Sequence, residues 1–176
     1  YRYTFNGQEY TVGEFSNEDV LTSQKKALKE VYKVLKKDGV FYLGIENREG
    51  LKYLLGAPED HAGISYISLM PRNEADIISQ NMNHKPYKTH TYGKSEYLAL
   101  LKEAGFNKFD FYAALPDYKL PKIFFPNNFD IGRFLSKNIY LLGKFTKRSE
   151  MFTTQKLLEK NLYHDFANSF VVLSLK

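Results

Sequence analysis

Residues 40–45, Val-Phe-Tyr-Leu-Gly-Ile, form an uninterrupted apolar run directly after an amphipathic pattern that stops at Gly39. Together they constrain this chain more than any other feature, because they call for a helix laid against a strand in an α/β arrangement. From Thr22 or Ser23, either able to cap, to Lys37, the residues Ala27, Leu28, Val31, Val34 and Leu35 recur at helical spacing. Lys36 and Lys37 fall where the helix dipole favours cations, and Gly39 is the expected left-handed stop. The apolar run itself fits a central strand covered on both faces in a parallel sheet.

Either side of this unit the pattern continues. Asn6-Gly7 suits a type I′ turn, so residues 1–13 read as a hairpin pairing Phe5 with Gln8, Tyr3 with Tyr10 and Tyr1 with Val12, large side chains on one face. A short helix is expected through Leu51, Leu54 and Leu55. A long irregular stretch follows from Gly56 to about Tyr92, with a helix around Arg72 to Gln80. A clear helix runs from Lys94 to Ala104 between Gly93 and Gly105. Lys108 to Ala114 alternates Phe109, Phe111 and Ala113 with Asp110 and Tyr112, a strand nearer a sheet edge that Pro116 closes. Two helical patterns, near Ile131 to Phe145 and Met151 to Phe166, read as an inserted helical pair, and Ser169 to Leu175 as a last strand.

Several classes fall away. With 176 residues, 43% of them hydrophobic, the chain can bury one real core and is no disordered tail. No cysteine is present, which removes disulfide scaffolds, thiolate metal sites and cysteine nucleophiles. No apolar run approaches the roughly 20 residues of a membrane span. No leader pattern follows Tyr1, so no signal peptide is expected, and the start at tyrosine suggests a piece of a longer chain. A net charge of +5 allows attraction to polyanions without requiring it. Fourteen tyrosines and fourteen phenylalanines serve a filled core or a stacking pocket equally well.

Helix, buried strand, helix, strand, excursion and last strand is half of a Rossmann-like sheet. The segment from Ala27 through Leu35-Lys36-Lys37-Asp38-Gly39 and Val40-Phe41-Tyr42-Leu43-Gly44-Ile45 to Glu46-Asn47-Arg48 resembles class I SAM-dependent methyltransferases, at the helix before the fifth strand and that strand. His90-Thr91-Tyr92 and the helix through Leu101-Lys102-Glu103-Ala104-Gly105-Phe106 are similar to the lead into the sixth strand. Ala114-Leu115-Pro116-Asp117-Tyr118 is similar to a loop after that strand in one bacterial branch. His61-Ala62-Gly63 and Leu69-Met70-Pro71-Arg72 are similar to that branch's acceptor-side loop. The resemblance covers residues 22–118 and makes Ser169 to Leu175 the antiparallel seventh strand.

What it implies is an α/β protein: a Rossmann-like methyltransferase half sheet (21–118 with 168–176), an N-terminal β-hairpin and leader (1–20) and a helical insertion (119–167). The family's glycine-rich turn, and the acidic residue that takes the ribose, have no counterpart in this sequence; Gly39 with Gly44 and Gly50 with Gly56 are wrongly spaced. The chain is therefore either the acceptor-side half of an enzyme that uses S-adenosyl-L-methionine (SAM) or a variant without cofactor binding, and this segment alone is expected to hold no cofactor. A missing N-terminal half or a second copy would complete the sheet.

The candidate bases are His61 and His90. Candidate substrate contacts are Asn47, Arg48, Tyr66, Arg72, Asp117 and Tyr118, placed at the carboxyl ends of the strands closing at Ile45 and Ala114. Arg72 reads as a clamp for an acceptor carboxylate or phosphate, or as a surface ion pair; Asn47 and Arg48 read as ligand contacts or loop caps. Glu59-Asp60-His61, His84 with His90, and His164-Asp165 lack metal-site spacing, so no metal is expected. A non-catalytic interaction module is the alternative reading, and a basic, aromatic-rich binder of nucleic acid or other polyanion the third. A cytoplasmic location, no membrane partner and an acceptor of unknown identity complete the expectations.

Overall fold

The computed structural model describes residues 2–5, 8–11, 19–143, 145 and 147–176. Strands β1 (Arg2–Phe5) and β2 (Gln8–Thr11) pair antiparallel with Tyr3 opposite Tyr10 and Phe5 opposite Gln8, the register expected of the hairpin. The Asn6-Gly7 turn and the Tyr1–Val12 pair lie outside the described residues. These two strands form a sheet of their own.

The main sheet has four strands in the order β3 (Val40–Glu46), β6 (Ser169–Leu175), β4 (Lys108–Leu115) and β5 (Ile123–Pro126), and every neighbouring pair is antiparallel. The protein is thus mixed α/β, but its sheet is not the parallel one expected. β3 is an edge strand, not a central one. Phe41, Leu43 and Ile45 pack on the core, while Val40 and Tyr42 on the opposite face are 55% and 57% exposed. An unbroken apolar run carries no information about which flank a neighbour occupies, and only pairing decides it. β4, read as lying nearer an edge, has β5 outside it. Because β6 is antiparallel to both, β3 and β4 run parallel to each other across it and end on the same rim, at Glu46 and Leu115.

Helices α1 (Val20–Val34) and α4 (Lys94–Ala104) pack together on the face carrying Phe41 and Phe109. α1 starts after Asp19, ahead of the expected caps Thr22 and Ser23. Its exit also differs: Asp38, at φ 61°, is the left-handed residue, and Gly39 is needed for room, since a Cβ there would come within 2.8 Å of the Leu35 side chain and the Lys36 carbonyl. Lys36 and Lys37 lie beyond the helix end; Lys176 takes the cation's place there, donating to the carbonyls of Lys33 and Leu35 at 2.9 and 2.7 Å. α4 ends at Gly105 as expected, at φ 112°, where a Cβ would strike the Tyr32 ring. Phe106, fully buried, then packs edge-on to Tyr32 and stacks with Phe41.

The excursion after β3 is ordered rather than irregular. It holds α2 (Leu51–Leu54), a turn of 3₁₀ helix at Ile67–Leu69 and α3 (Arg72–Asn83), closing a small second core of Ile64, Ile67, Ala75 and Tyr87. The insertion opens with a strand, β5, before its helices α5 (Phe129–Lys137) and α6 (Arg148–Glu159). Asn128 caps α5, its side chain accepting from the amides of Asp130 and Ile131.

Candidate functional site

A cavity of ≈ 240 Å³ opens at the carboxyl end of β3. Its walls come from the start of α1 (Asp19, Leu21), from Arg48 just past β3, from Ser68, Met70 and Arg72, and from the 87–92 strap. It unites three of the residues singled out in the sequence: Arg48, Arg72 and His90. His61 is exposed and lines a neighbouring cavity of ≈ 160 Å³ that shares only Tyr87 and Thr89 with the first. The two candidate bases therefore serve different cavities.

The cationic groups of the main cavity are already engaged. Arg48 pairs with Glu96 at 3.2 Å, and Glu96 also accepts from the Gly93 amide at the head of α4. Arg72 donates to the carbonyls of Thr89, at 2.8 Å, and Tyr87, and its guanidinium lies over the Tyr87 ring at 5.0 Å. It ties the strap to α3. Arg72→Ala is accordingly expected to cost about 1–2 kcal/mol, a Tm decrease of about 3–6 °C, whereas His61→Ala leaves Tm in place. Thermal unfolding of both variants checks this, and an unmoved Tm for Arg72→Ala would show that the strap holds without it.

His90 is half-buried beside Arg72. Burial first, and then the arginine's charge, push its imidazole below the ordinary value, so it stays neutral near pH 7 and able to take a proton. Its carbonyl accepts from Gln24 on α1, and Gln24 in turn accepts from the Tyr92 hydroxyl at 2.7 Å. Burial also pushes the Tyr87 hydroxyl up to about 12, so it remains protonated.

The remaining expected contacts lie elsewhere. Asn47 is fully buried, its amide donating to the carbonyls of Asp165 and Ala167 at 3.0 and 2.8 Å while its oxygen accepts from Glu49. It is a fastener, with no polar atom left for a ligand. Tyr66 is about half exposed, its hydroxyl tucked against Gly56. Asp117 accepts from the amides of Lys119 and Leu120, folding its own loop, and Tyr118 covers Gly44. Sequence reasoning missed Asp19, Tyr92 and Glu96. For Glu96, its place three residues after Gly93 is the one signal that could have found it, its carboxylate accepting from the Gly93 amide as one arm of a helix cap.

The space beside Gly44, Gly50 and Gly56 is filled by Tyr118, Asn168 and Tyr66, so none of these glycines lines a cradle. Among the described residues no group of three histidine, aspartate or glutamate side chains is arranged to hold a metal, and no helix is long and apolar enough to cross a membrane. No protein-family model matches the chain, and no curated protein or solved structure is significantly similar to it.

Proposed function

We propose that this chain is the acceptor-side half of a SAM-dependent methyltransferase with a Rossmann-like sheet, and that the cavity beneath Arg48, Arg72 and His90 receives the acceptor. One observation carries the reading. β3 and β4 are parallel strands ending on one rim with the chain's last strand antiparallel beside them, as the resemblance implies for a seventh strand, and the cavity opens at that rim. The methyl donor is held by chain or subunit outside this half. Here, the strap fixed by Arg72 would orient the acceptor and His90 would take its proton; SAM held outside this half would supply the methyl group, its S–CH3 bond breaking as the bond to the acceptor forms and the thioether leaving.

The alternative, a non-catalytic interaction module, is favoured by the engagement of both arginines with protein partners. Calorimetry and labelled SAM separate the two. The 176-residue chain alone is expected to show no saturable SAM binding in the micromolar range, while the natively expressed protein carrying it retains labelled SAM. There His90→Gln lowers methyl incorporation about tenfold, or about 1.4 kcal/mol in the barrier. Native protein that binds no SAM removes the methyltransferase reading. Micromolar binding by the isolated chain would mean that it carries a cofactor cradle of a kind its glycines do not reveal.

A further inference from the structure

The insertion concentrates charge and exposed aromatic surface. Residues 129–162 contain seven lysines and arginines against three acidic residues, which is four of the chain's five net positive charges. On α6, Thr154 and Leu158 are buried, and Arg148, Phe152 and Lys156 recur every fourth position on the side away from them. On α5, Gly132 lets the helices touch, since a Cβ there would come within 2.9 Å of the Leu158 carbonyl, and Gln155 of α6 donates to the Ser136 carbonyl. Phe129, Arg133 and Lys137 lie one position round from these contacts, so their stripe borders α6. Tyr140, 72% exposed, joins the stripes, sharing an open groove with Lys147, Arg148 and Met151. Phe152 is 56% exposed.

We propose that this outward face of the α5–α6 pair docks peripherally on an anionic lipid surface, its rings entering the headgroup layer and its arginines and lysines pairing with lipid phosphates. The charge excess supplies the complementarity, and the side chains favour lipid over nucleic acid. Arg133 already lies over the Phe129 ring at 5.5 Å, where a base would have to stack, and the flanking exposed Leu141 has no ring face to offer. Arginine and lysine stems can lie along the rings while their heads reach phosphate. This departs from the expectation of no membrane partner, which rested on the shortness of the apolar runs and so addressed only spanning segments. It does not depend on methyl transfer.

Vesicle co-sedimentation of the full chain tests it, with phosphatidylcholine alone and with roughly one-third phosphatidylglycerol. Binding is expected to be about tenfold tighter on the anionic vesicles and to weaken with salt. The charge-reversed pair R133E/R148E should lose about tenfold, and Y140S/F152S about fivefold at every salt concentration, both with an unchanged circular dichroism spectrum because the sites are exposed. Equal binding to neutral and anionic vesicles, wild-type binding by Y140S/F152S, or tighter binding to single-stranded oligouridylate than to vesicles would each overturn the proposal, the last in favour of nucleic acid.

Discussion

Asn47→Asp is expected to destabilise the protein by about 4 kcal/mol, a loss that would show as a large fall in the urea midpoint at constant slope. The substitution changes almost no volume, so cavity formation contributes nothing. What changes is chemistry: an amide nitrogen that donates to the carbonyls of Asp165 and Ala167 becomes a carboxylate oxygen facing those same acceptors. The residue is fully buried, so no water relieves the repulsion. Asn47 follows the last residue of β3, where Glu46 pairs with Ser169, and its backbone amide donates to the Asn168 carbonyl. The site fixes the entry to β6 and with it the rim on which the cavity beside Arg48 opens. Asn47→Ala should cost somewhat less, about 3 kcal/mol, because it orphans the partners without adding a buried charge. A loss below about 1 kcal/mol for the aspartate variant would mean that water or a moved side chain satisfies these groups.

The residues that misled the sequence reading share one physical property: tertiary pairing, not a local pattern, decides their role. Lys94 to Ala104 was fully legible, because the permissive start at Gly93, the apolar stripe of Tyr97, Leu100 and Leu101, and the stop at Gly105 are local signals. So was Ser169 to Leu175, whose apolar residues and length suffice. β5 was not legible, since Ile123-Phe124-Phe125-Pro126 is short and ends in proline, and it is a strand only because β4 offers it an edge. The edge position of β3 was hidden for the same reason. At the site, Arg72 read as an anion clamp or a surface ion pair; it makes an exposed ion pair with Asp76 at 3.4 Å, and its hydrogen-bond acceptors are main-chain carbonyls, which no side-chain motif announces. His61 and His90 lie in one loop, but which cavity each lines depends on how that loop folds around Ile64, Ile67 and Tyr87.

His164 should make the protein acid-labile by about 3 kcal/mol between neutral pH and pH 4. The imidazole is 3% exposed, its Nε2 lies 2.9 Å from the Phe125 carbonyl, and its Nδ1 has no partner. A carbonyl only accepts, so Nε2 carries the proton and Nδ1 is the bare nitrogen. Charging Nδ1 would bury an unpaired cation near the Lys94 ammonium, with Asp165 the only nearby acid to offset it. Burial first, then Lys94, lower the histidine to about 4 in the folded protein, against an ordinary value of 6.5. Below about pH 6.5 the unfolded chain takes up a proton that the folded chain refuses. Stability is therefore full above that pH, falls as pH drops toward 4, and loses nothing more from this group below it. Because the ring packs edge-on to Phe125 of β5, acid should loosen the seam between the sheet and the insertion first. His164→Gln keeps an N–H for the Phe125 carbonyl and cannot titrate in this range. Urea midpoints of wild type and variant at pH 7, 6, 5 and 4.5 are expected to differ in slope, the wild type falling more steeply, with the carboxylates common to both cancelling. Parallel curves would show that His164 is charged or water-bonded in the native state.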